Sequence, residues 1–167
     1  FELLMQVRDE VFKIKNADHS IKSIIEQMES WISNVNSNFS GHQVELQQVT
    51  TIKKLERIRS ELTFFRADGK SDNMTSENPS PLDGKLVSLA QAISNSDGRP
   101  TKQSIQVFDV LKGRVAEQLE DLQEIIEIDL ANFQKLLHQF EVQAIVPIGR
   151  ERRTKRHDDD ENDSLKQ

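Results

Sequence analysis

Asp18 and Asp129 are the residues whose type and place most suggest chemistry. Each stands in an apolar stripe where a hydrophobic side chain is expected. A carboxylate in that place has two readings. It is buried, binding a partner group or setting helix register, or it is left wet by a nearby helix end or loop. A buried one needs Lys, Arg or a helix N-terminus beside it. Exposure therefore decides between the two. Glu117, Asp121 and Glu124 are also grouped by spacing and share one helix face. That face lies opposite the seam of Val115, Leu119 and Leu122, so these carboxylates are expected in solvent.

Other constellations are missing. A di-metal carboxylate bundle needs Glu-x-x-His on two helices, facing inward. The chain has only the reversed form, His138-Gln139-Phe140-Glu141, once. The four histidines, His19, His42, His138 and His157, fall on separate elements, and none pairs with another four residues away. There is no Cys, so neither a thiolate zinc site nor a thiol nucleophile is available. Asp68-Gly69-Lys70-Ser71 and Asp83-Gly84-Lys85-Leu86 lack the strand and the spacing of a phosphate loop. No Gly-x-Ser-x-Gly elbow occurs. The expectation is a protein with no catalytic residue, no metal and no cofactor.

Composition places these residues on helices. With 6 Gly, 8 Phe, 1 Trp and no Tyr, the chain is poor in strand and turn formers. It is rich in Glu, Gln, Lys and Leu. No apolar run approaches the roughly 18 residues of a membrane span. The net charge is −6. The basic and acidic residues of 149–167 cancel, so the body carries all of it. An acidic body is a poor match for nucleic-acid phosphates or anionic lipid.

Leu4, Val7, Val11, Ile14, Ile21, Ile25, Met28, Ile32 and Val35 recur at steps of three and four, with Asp18 filling the one gap. This is a heptad seam on one long helix, stopped by the Asn/Ser-rich stretch before Gly41. A second helix is expected over Gln43–Ala67, with Leu46 or Val49, Ile52, Leu55, Ile58, Leu62 and Phe65 as its stripe. Residues 68–81 read as a polar surface linker. A short helix follows from Leu82 to Ser94, with Leu82, Leu86, Leu89 and Ile93 on one face. Thr101 is placed to cap the last helix, Lys102–Phe140. That helix carries Phe108, Leu111, Val115, Leu119, Leu122, Ile126, Phe133, Leu137 and Phe140. Val142–Ile148 reads as an extended segment packing back.

The fold class is therefore all-α, an antiparallel bundle of about four helices over 1–148: two long, one medium, one short. Residues 149–167, basic and then acidic, read as a disordered tail. Within that tail Arg153-Thr154-Lys155-Arg156 would suit a basic-site protease. Asn38-Phe39-Ser40, Asn73-Met74-Thr75 and Asn162-Asp163-Ser164 match the glycosylation sequon. Phe1 in place of Met suggests a fragment or a processed product.

Several stretches resemble a known family. Phe1-Glu2-Leu3-Leu4-Met5-Gln6-Val7-Arg8-Asp9-Glu10-Val11 resembles the opening of the helical region that closes large bacterial proteins built on sortilin-type, BNR-repeat β-propellers. Members carry names such as "glycosyl hydrolase" and "WD40/YVTN/BNR-like repeat-containing protein". Leu82-Asp83-Gly84-Lys85-Leu86 is similar to the family's Leu-Asn-Asn-Lys-Leu run. Arg99-Pro100-Thr101 with Val107-Phe108 is similar to its Arg-Pro-Thr and Val-Phe signature. Asp129-Leu130-Ala131-Asn132-Phe133 is similar to its Asp-x-x-x-Phe-Asn, with Gln134 for Asn. The chain departs at Asp83-Gly84, where the family has Asn-Asn, and in the charged tail beyond Pro147. The resemblance implies a helical appendage to a propeller in an exported, periplasmic or cell-surface protein. Any hydrolase site would lie in that upstream propeller.

Two partners follow as expectations: the upstream propeller of the same polypeptide, or a second copy in a coiled-coil-type association. Unequal helices leave apolar ends uncovered. Leu4, Val7 and Val11 at one end, with Phe133, Leu137 and Phe140 on the last helix, are the expected docking surface.

Overall fold

The structure, a computed structural model, describes residues 2–34, 42–63, 80–95 and 99–139. The sequons, the linker up to residue 79, Phe140, Val142–Ile148, the expected boundary at 148 and the charged tail lie outside the described residues. Two compact units divide the chain, Phe1–Phe133 and Gln134–Gln167. The first carries the core. Of the second, residues 134–139 are described, and they are α-helical.

The described residues are all-α. In order, α1 spans Glu2–Asn34, α2 His42–Leu62, α3 Leu82–Ser94 and α4 Lys102–Glu124. A π-helical run, Ile125–Leu130, follows α4 directly, and α-helix resumes over 131–139. The expected single helix from Lys102 is thus interrupted by six residues wound with an extra residue per turn. Thr101 caps α4 as expected: its hydroxyl oxygen accepts from the Ser104 N–H at 3.1 Å.

Side-chain contacts give the helix directions. Asp18 of α1 meets Arg59 of α2, and the Gln48 amide of α2 donates to the Met28 carbonyl of α1 at 3.1 Å. Positions rise in α1 as they fall in α2, so the two helices are antiparallel. Glu61 faces Arg114 at 3.7 Å and Lys54 faces Asp129 at 2.9 Å, so α2 is antiparallel to α4 and its continuation. α3 packs on α1 and α4.

One core joins α1 to α4. Val7, Ile14, Ala17 and Ile21 meet Leu55, Ile58 and Leu62, Leu82, Leu86, Leu89 and Ile93, and Phe108, Leu111, Val115, Leu122 and Ile125. Burying each large apolar side chain stabilises by roughly 1.5–3 kcal/mol. The buried seam of α1 is only in part the one expected. Val7, Ile14, Ile21 and Met28 are buried, but the second fully buried row holds Glu10 and Ala17. The expected row of Leu4, Val11, Asp18, Ile25 and Ile32 is half-buried beside it. A bundle helix buries a stripe wider than a strict two-position seam. Bulky residues can therefore occupy the margin while a small residue sits at the centre.

On α2 the stripe is also shifted. Leu46 and Val49 point outward, while Val44 and Thr51 are buried. Thr51 is tolerated there because its hydroxyl donates to the Gln47 carbonyl at 2.8 Å, leaving no polar atom unsatisfied.

Candidate functional site

Both stripe carboxylates have found a basic partner, and both partners come from α2. Asp18 accepts from Arg59 Nε, with the Thr63 hydroxyl at 3.5 Å from the same oxygen. The Asp18 side chain is 29% exposed, so this pair sits at the margin of the core. Asp129 accepts from Lys54 Nζ at 2.9 Å and is 15% exposed. Neither alternative in the sequence holds unmodified: both carboxylates are partly covered, and each is paired. Lys54 and Arg59 are five residues apart on one helix. They tie α2 to α1 on one side and to the π run on the other.

A third carboxylate stands near the first of these pairs. Asp83 lies in the first turn of α3 and accepts from the Gly84 N–H at 2.6 Å. Partial burial raises its pKa above the ordinary carboxylate value. The Gly84 bond opposes that, the Asp18 charge adds to it, and Lys15 opposes it. Asp83 on α3 thus lies within electrostatic reach of Asp18 and Lys15 on α1. Sequence reasoning singled out Asp18 but missed Asp83, whose role depends on how α3 lies against α1.

Glu10 was also missed. It is 5% exposed on α1, and Lys13 one turn on reaches it at 2.7 Å. The Glu-x-x-Lys spacing was the available signal, yet it is common on solvated faces.

Two of the expected docking residues are taken up by the core. Val7 and Phe133 are buried, and Leu4 and Val11 pack against the core as half-buried residues. Leu137 is half-buried, and Phe140 is outside the described residues. Val7 is consumed because α1 buries it in the seam that α2, α3 and α4 cover. Large apolar side chains do reach solvent elsewhere. Phe12 is 63% exposed, with Met5 one heptad before it, on the face of α1 opposite the buried seam. Leu46 and Val49 do the same on α2, and Val107 and Val110 on α4.

Glu117, Asp121 and Glu124 are exposed, as their face requires. His19, His42 and His138 are exposed on different helices. Among the described residues no three His, Asp or Glu side chains group to hold a metal ion. A hollow of about 350 Å³ runs beside Ser23, Glu26, Gln27, Ser30 and Trp31. All five lie on α1, so no second described element offers it a converging group. No described helix is long and apolar enough to cross a membrane.

Compared with protein families, with curated proteins and with solved structures, the chain matches none.

Proposed function

We propose that this chain is a non-catalytic helical packing module, the C-terminal appendage of a larger exported β-propeller protein. The observation that carries the packing role is Phe12 with Met5, outward on the face of α1 opposite the core. Two large apolar side chains on one exposed face are costly to leave in water. Covering them with a partner recovers that cost. Ionisable side chains work in support: Glu10, Asp18 and Asp129, which lie near the core, are paired across or along helices, an arrangement suited to holding helices. The propeller and its exported location rest on the sequence resemblance.

The test is the size and location of the native polypeptide, read by immunoblot of source-cell fractions with an antibody to this chain. A band several times larger than 19.2 kDa in an exported fraction is expected. A band near 19 kDa in the cytosol overturns the appendage reading. The second reading, an autonomous self-associating bundle, is favoured by the outward pair Leu46 and Val49 on α2. It predicts concentration-dependent sedimentation of the isolated chain, lost on Leu46→Ser with Val49→Ser.

A further inference from the structure

Adjacent isoleucines, Ile125 and Ile126, compete for one place in the core. An uninterrupted α-helix sets Ile126 one turn beyond Leu122, in line with Val115 and Phe133. The structure instead buries Ile125 and only half-buries Ile126, because residues 125–130 are wound as a π-helix. One extra residue in a turn sets the following helix back by about 100°.

The extra residue bears directly on Asp129. In an unbroken α-helix Asp129 lies two turns from Leu122, which is buried. Its carboxylate would then enter the centre of the stripe, where a charge is costly. The π run turns Asp129 to the flank, where Lys54 Nζ meets it at 2.9 Å. The stripe can close with either isoleucine: Phe133 is seven residues from Ile126 in the α register, and it is buried in the π register.

We propose that Asp129 is a register determinant: its carboxylate, held at the flank by Lys54, selects the π register over a second, fully α-helical register in which Ile126 replaces Ile125 in the core. This inference does not rest on the proposed packing role.

The chain has no Cys, so a thiol placed at either position is a unique probe. Ile125→Cys and Ile126→Cys are made singly in the full chain, and their native-state alkylation rates are compared. In the parent background the thiol at 126 reacts faster than the thiol at 125. Adding Asp129→Leu removes the charge that the α-helical register would carry into the stripe and is expected to invert that ratio, with helical circular dichroism retained. Asp129→Asn, close in shape, is expected to move the ratio in the same direction and keeps the test open if the Leu variant does not fold. A ratio unchanged in the folded variants overturns the proposal.

Discussion

Asp83 shows what a single carboxylate does to this fold. Burial raises its pKa first, and the nearby Asp18 charge adds to the rise. Its folded value therefore exceeds the unfolded one. Ionised Asp83 opposes folding at neutral pH. The opposition fades as pH falls through the folded pKa and vanishes below the unfolded value near 3.8. Asp83→Asn should be more stable than the parent at pH 7. The gap should close toward pH 4, as read by urea unfolding at both pH values. Asp18 is paired with Arg59. Arg59→Met should cost about 1 kcal/mol in the same assay, between the values for exposed and buried pairs, and added salt should not restore it. Asp18 and Asp129 were visible in the sequence as charges in apolar stripes. That each would be met by α2 was not, because pairing across helices depends on rotation about the helix axis. Nor was Glu10, since a Glu three residues before a Lys looks the same on a wet face as on a buried one.

At the scale of elements, α3 was legible from end to end. Its four leucine and isoleucine positions, the proline before it and the Asn after it fix both phase and ends. The existence of α1 was equally legible, but not its central row, because Ala17 and Glu10 carry little hydrophobic signal. The π run left no signal beyond the neighbouring isoleucines. Gly113 belongs to this scale too. It lies exposed within α4, and a Cβ built there meets nothing within 4 Å. Gly113→Ala should therefore stabilise the chain by about 1 kcal/mol through helix propensity alone. A loss of stability in thermal unfolding would mean that the site packs against something in solution.

For the molecule as a whole, one core from four helices makes each large buried side chain count. Leu86 of α3 is fully buried in the core that the four helices share. Leu86→Ala should cost about 2–5 kcal/mol, a large share of the roughly 5–15 kcal/mol that holds a typical domain. Urea unfolding followed by circular dichroism checks it. A cost under about 1 kcal/mol would mean that α3 is dispensable to the core.

Trp31 decides how such experiments must be read. It is the sole Trp, the chain has no Tyr, and Trp31 is 48% exposed near the end of α1. Its indole already meets water in the native state, so its emission should be red-shifted and open to quenching by iodide. Intrinsic fluorescence will report the half-exposed end of α1 and be a quiet probe of the fully buried core. That exposure makes the same indole a natural beacon for anything that lands on this part of α1: a blue shift on mixing would mark the arrival without a label.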